Sequence, residues 1–128
     1  MTHYLLDTDI AVELLRGRNV RVATILASKN REWIFLPAAT VAELLFGALR
    51  SREPEKNVTI CREFCSSFQV EGLDYEAAEQ SGTIRADLET RGQRIGAYDT
   101  LIAGIALARG CTLVTHNVRE FGRYWIAD

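Results

Sequence analysis

The sequence predicts an α/β protein with a central, mainly parallel sheet flanked by helices on both faces. Short apolar runs of strand character alternate with longer stretches of helical periodicity. The segments between them carry capping residues and glycine stops. At 128 residues and 48% apolar content, the chain can bury one core but not two, so residues 1–128 read as one domain.

Residues 4–6 are expected to form the first strand, and the Asp7-Thr8-Asp9 turn supplies N-cap chemistry for a helix over about 10–16. A second helix is expected over 20–28 and a second strand over 33–36, stopped by Pro37. In 40–50, Val41, Leu44, Leu45, Ala48 and Leu49 recur at helical spacing; Val58, Cys61, Phe64, Cys65 and Phe68 repeat that pattern in 55–68. A short strand at 69–73 precedes a helix over 75–91 that Gly92 ends, and a helix over 99–109 stops at Gly110 before an apolar strand at 112–115. There is no internal repeat, low-complexity stretch or linker.

A net charge of -2 argues against a protein that coats nucleic acid non-specifically. It leaves room for a nuclease, because metal-binding carboxylates lower the net charge themselves. All but two of the 15 basic residues are arginine, the exceptions being Lys29 and Lys56, and arginine forks suit phosphate. Cys61, Cys65 and Cys111 contain no C-x-x-C pair, and Cys61 and Cys65, four apart in an apolar helical pattern, are expected to be reduced core residues. The first residues carry Asp7 and Asp9 and do not read as a signal peptide, and no segment has the roughly 18 uncharged apolar residues of a bilayer span. The expected location is the cytoplasm.

The chemical signal lies in where the acids sit. In open parallel sheets, ligands bind beyond the carboxyl ends of the strands. Asp7 follows the first strand, Glu43 lies early in a helix that follows a strand, Asp99 opens a late helix, and Asn117 stands two residues past the last strand. These four oxygen-bearing side chains are therefore expected on one rim. Gathered carboxylates repel one another and call for a cation; hard oxygen donors without a His or Cys cluster select Mg²⁺ or Mn²⁺. Such an ion promotes in-line attack of water on a phosphate. Each residue also has a structural role open to it: Asp7 or Asp9 as a helix cap, Glu43 on a solvated face, Asp99 as an N-cap, and Asn117 in a turn.

The stretches LLDTDI at 5–10, TVAELLFGA at 40–48, IRADLETRG at 84–92, IGAYDTLIAGIALARG at 95–110 and LVTHNVREF at 113–121 occur in an order that resembles PIN-domain ribonuclease toxins of the VapC type. The resemblance covers nearly the whole chain. It implies a single PIN-like domain in which Asp7, Glu43 and Asp99 hold metal and Asn117 completes a catalytic site, with Thr8 and Thr115 in support. It further implies a homodimer, a VapB-type antitoxin as partner and RNA as substrate. The IRADL and THNVREF stretches are most similar to enterobacterial-type members, which implies initiator tRNA cut in its anticodon loop. Arg85 and Arg94, on segments flanking the site, are the candidate contacts to RNA.

The chain departs from the family pattern in three places. Asp9 stands where Asn is common and could support metal binding or cap a helix; Ala97 replaces a frequent Pro; and only GRYWIAD follows Phe121, so a shortened final strand is expected. Three rival readings compete. A phosphatase with Asp7 as nucleophile and Asp9 as acid/base lacks a well-placed Lys and a late acidic pair. A ribonuclease using His3 and His116 would have them on opposite rims. A non-catalytic PIN-like module that binds RNA or a partner differs from the enzyme in one testable respect, indifference to Mg²⁺.

Overall fold

A computed structural model describes residues 2–116 of the chain. Asn117 and the expected short final strand lie outside the described residues. Within them, four parallel strands form one sheet in the order β3-β2-β1-β4: β1 (Tyr4–Leu6), β2 (Ile34–Pro37), β3 (Gln69–Glu71) and β4 (Thr112–Val114). Between them lie α1 (Thr8–Leu15), α2 (Val20–Ala27), α3 (Ala38–Leu49), α4 (Pro54–Ser66), α5 (Tyr75–Thr90) and α6 (Ala97–Arg109).

The alternation of side chains along a strand creates two cores, one on each face. Leu5 joins Ile84, Leu88, Ile102, Ile105 and Leu113 on the face covered by α5 and α6. Its neighbour Leu6 joins Ile10, Leu26, Leu36, Leu44 and Cys61 on the face covered by α1 to α4. Because both faces are buried there, β1, β2 and β4 read as mainly apolar runs, as parallel sheets require, whereas the edge strand β3, Gln-Val-Glu, is largely exposed. Cys61 and Cys111 are buried and all three cysteines are free.

Element ends follow local chemistry. Gly92 and Gly110 adopt φ of 71° and 65°. The turn at Gly92 returns two amides to α5, Gly92 N to Glu89 O at 3.0 Å and Gln93 N to Leu88 O at 2.8 Å, and Cys111 N does the same for Ala106 O at 2.9 Å after α6. α1 begins at Thr8, earlier than the pattern suggests, because Asp7 is its N-cap and accepts from Ile10 N at 2.9 Å. α3 starts at Ala38, directly after Pro37, which ends β2 rather than stopping it one residue earlier. α6 likewise starts two residues ahead of Asp99, with Gly96 as N-cap. Asp99 is thus the third residue of that helix and not its cap.

The densest helix pairing is α5 against α6. It depends on Gly104, where a Cβ would fall 1.9 Å from Ser81 Oγ and 2.5 Å from the Ala77 carbonyl oxygen. Arg109, at the end of α6, reaches Glu71 at 3.1 Å, Asp74 and Glu76, and so ties α6 to the connection between β3 and α5.

Candidate active site

The strand order places β1 between β2 and β4, and the chain leaves β1 towards β2 but returns from the other side through β4. The carboxyl ends of β1 and β4 therefore border the crevice at which ligands bind in such sheets. Asp7 stands at the first end and Thr115 at the second. Both are buried, Asp7 at 1% exposure and Thr115 at 0%, and Thr115 Oγ1 donates to Asp7 Oδ2 across the crevice. The Asp7 amide also donates to Val114 O at 3.2 Å. One carboxylate oxygen of Asp7 caps α1 and the other faces β4.

Burial pushes the Asp7 carboxyl above its usual value; the bonds from Thr115 and Ile10 pull it down, Asp9 adds repulsion and His116 offsets part of it. A buried carboxylate in this state is electrostatically incomplete, and a cation beside it would reverse the shift.

Glu43 reaches the same rim from α3. Thr8 Oγ1 donates to Glu43 Oε1 at 2.5 Å and lies 3.1 Å from Thr40 Oγ1. Since Thr8 has one hydroxyl hydrogen, Thr40 is the donor to Thr8. A relay thus runs from buried Thr40 through Thr8 to half-buried Glu43. The sequence pattern does not mark Thr40 as a site residue. Its position three residues before Glu43 on one helix face was the available signal.

Asp99 is half-buried in the first turn of α6, and a Cβ at Gly96 would stand 3.6 Å from its Oδ2. α6 packs on α3, and α3 on α1, so α3 links the other two acid-bearing helices. Asp9 is exposed in the first turn of α1. His116 pairs with Glu13 at 2.7 Å, which raises the imidazole pKa, whereas His3 packs on the Phe35 ring at the opposite end of the strands.

Among the described residues, no three His, Cys, Asp or Glu side chains are gathered into a ready-made metal cluster. The donor set still fits Mg²⁺. That ion is commonly held by one or two carboxylates and keeps several waters. The rim offers two carboxylates oriented by threonine hydroxyls, and the imidazole there, His116, is engaged by Glu13. Cys111 precedes β4 and lies at the opposite rim, and Cys61 and Cys65 belong to α4 and pack in or against the core. Also among the described residues, no helix is long and apolar enough to cross a membrane.

Fold and rim together define a small α/β domain with an acidic site at a topological switch point. The PIN domain model matches residues 4–124. The tRNA(fMet)-specific endonuclease VapC of Shigella flexneri is 35% identical over 123 residues, covering 96% of this chain and 92% of that protein. Ribonuclease VapC2 of Haemophilus influenzae is 35% identical with the same coverage. Among solved structures, DNA-bound VapBC from Salmonella typhimurium superposes with a TM-score of 0.88 at 34% identity, covering 100% of this chain and 98% of that one. VapBC2 from Rickettsia felis, bound to a promoter DNA fragment, gives 0.86 at 30% identity, covering 99% and 98%. The chain belongs to the VapC family of PIN-domain proteins.

Proposed function

We propose that this chain is the toxin of a VapBC-type pair and a metal-dependent endoribonuclease that hydrolyses RNA phosphodiester bonds. The observation that carries the reading is the buried Asp7 carboxylate at the switch point, desolvated and oriented by Thr115. Asp7, Glu43 and Asp99 would hold Mg²⁺, with Mn²⁺ as substitute. When bound, the ion would neutralise charge on the phosphate and activate water for attack.

The protein groups orient and exclude. Thr115 holds Asp7 Oδ2, and the Thr40–Thr8 relay holds Glu43 Oε1. Asn117 is proposed to complete the polar site. Arg85 and Arg94 are proposed to meet the RNA backbone. The specificity named for the Shigella flexneri relative supports initiator tRNA as substrate. The VapBC complexes among the structural neighbours support a VapB-type antitoxin. Phe46 and Leu49, exposed on α3 at 65% and 62%, offer it an apolar helix surface. Homodimerisation and a cytoplasmic location complete the reading.

The test is cleavage of total RNA and of initiator tRNA by purified protein, with Mg²⁺ and with chelator, followed by sequencing of the new RNA ends. Mg²⁺-dependent cleavage that Asp7→Asn abolishes is the expected result. RNA left intact at every metal concentration, by folded protein, would overturn the enzyme reading in favour of a non-catalytic binding module.

A further inference from the structure

A cavity of about 190 Å³ lies where the end of α5 meets the start of α6. It exists because Gly92, at positive φ, turns the chain back after α5, and the Gln93 amide bonds to the Leu88 carbonyl oxygen. Residues 93–95 are thereby brought beside Leu88 instead of continuing the helix. Leu88 and Ile95 supply an apolar surface; Arg85, Glu89, Gln93 and Arg94 supply the polar one.

We infer that this cavity receives one nucleotide of single-stranded RNA next to the cleaved bond, its base on Leu88 and Ile95 beside Gln93 and its phosphate on Arg85 and Arg94. The inference rests on the ribonuclease reading above. Four observations carry it.

The first is size. At about 30 Å³ per water, the cavity holds roughly six waters, which suits one flat heterocycle and falls below the range of about 300–1,000 Å³ for larger ligands. The second is chemistry, since an apolar surface bordered by an amide and guanidinium groups is how proteins hold an unstacked base.

The third is place. Ala97 and Thr100 also line the cavity, and they flank Asp99 in the first turn of α6. The cavity therefore begins within about one helical turn, 5.4 Å of rise, of a proposed metal-holding carboxylate.

The fourth is charge. Arg94 has no ion-pair partner among the described residues. Arg85 Nε is held by Glu89 Oε2 at 3.0 Å, with both side chains largely exposed, at 64% and 47%. An exposed i,i+4 pair of this kind is weak, and a phosphate offers the guanidinium a stronger, bidentate partner. Glu89 thus occupies the phosphate's place on Arg85 until RNA displaces it.

That exchange makes the test directional. Binding of a short fluorescent single-stranded RNA to the full chain is measured with chelator present, so that nothing is cut, over a range of salt. Arg94→Ala is expected to weaken binding about fivefold or more and to lower the salt slope by about 0.7. Glu89→Gln is expected to tighten binding about two- to fivefold, because it frees Arg85. An abasic site scanned along the RNA should weaken binding at one position for the wild type, and by a smaller factor at that position for Gln93→Ala, which keeps the Leu88 and Ile95 surface.

In a protein that still cuts RNA with Mg²⁺, unchanged affinity and slope in Arg94→Ala, or no tightening in Glu89→Gln, overturns the pocket and leaves the ribonuclease reading standing. Absence of any abasic position that affects the wild type overturns the seating of the base. A wild-type chain that neither binds nor cuts RNA overturns both.

Discussion

Thr115 Oγ1 donates to Asp7 Oδ2 between residues 108 apart in sequence, across the ends of two adjacent strands. This bond joins the last described strand to the first at the point where the strand order reverses. It holds one oxygen of a buried carboxylate in place while the other caps a helix.

Asp7→Asn should abolish RNA cleavage and leave the fold intact. Asparagine caps a helix as well as aspartate does, and the Thr115 hydroxyl can rotate to accept from its amide. Cleavage is expected to fall by more than the roughly 10- to 100-fold typical of losing an outer-shell partner. Without metal, the variant should melt a few degrees higher than the wild type, because a desolvated charge is gone. Gel assays and thermal melts with chelator check both; full activity in the variant would sink the metal assignment.

Thr115→Val removes the donor and keeps the shape. Asp7 Oδ2 then loses this buried partner, at a cost of about 1–3 kcal/mol in stability. Loss of a bond that lowers the Asp7 pKa should move it further up. Mg²⁺ affinity, read by metal titration of activity, is expected to drop about 10- to 100-fold. Urea midpoints and titrations equal to the wild type would show that the hydroxyl is dispensable.

Gly104→Ala should be strongly destabilising for so small a change. The added methyl meets a flexible hydroxyl but also the Ala77 carbonyl oxygen at 2.5 Å, and backbone cannot yield cheaply. A loss of about 1–3 kcal/mol or more is expected from such overpacking. Ser81→Ala in the same chain should recover only part of it, as measured by urea unfolding. Complete recovery would place the whole clash on the Ser81 side chain.

Asp74→Asn should flatten the acid limb of the stability curve. The Asp74 carboxyl is held below its ordinary value near 3.8, first by the Ala77 amide that it caps and then by Arg109. A lowered folded pKa stabilises the fold above the unfolded value, and that contribution is lost as pH falls through the folded value. Asparagine keeps the cap and loses the charge. Urea midpoints measured from neutral pH down to about pH 3 should therefore fall less steeply in the variant; parallel curves would count against the Asp74 contribution.

The sequence by itself determined the strands and the helices, and raised the expectation of an acidic site at the strand ends. Apolar runs and 3.6-residue periodicity are local properties, so residues 4–6, 75–91 and the glycine stops at Gly92 and Gly110 were legible without any tertiary knowledge. The position of Asp7 at a strand end was legible for the same reason. The starts of α3 and α6 were less so. Pro37 and Gly96 sit at the N-cap positions without a side-chain capping bond, so the sequence pattern puts both starts two residues late and makes Asp99 look like a helix opener.

Only the tertiary structure decided which polar atoms meet. Thr115 on Asp7, Thr40 on Thr8, Arg109 on three carboxylates and Gly104 on Ser81 are pairings between separate elements. Such pairings are set by strand register and helix packing, which depend on the whole chain folding at once. Periodicity tells each segment which face to bury; it carries no information about what stands opposite that face.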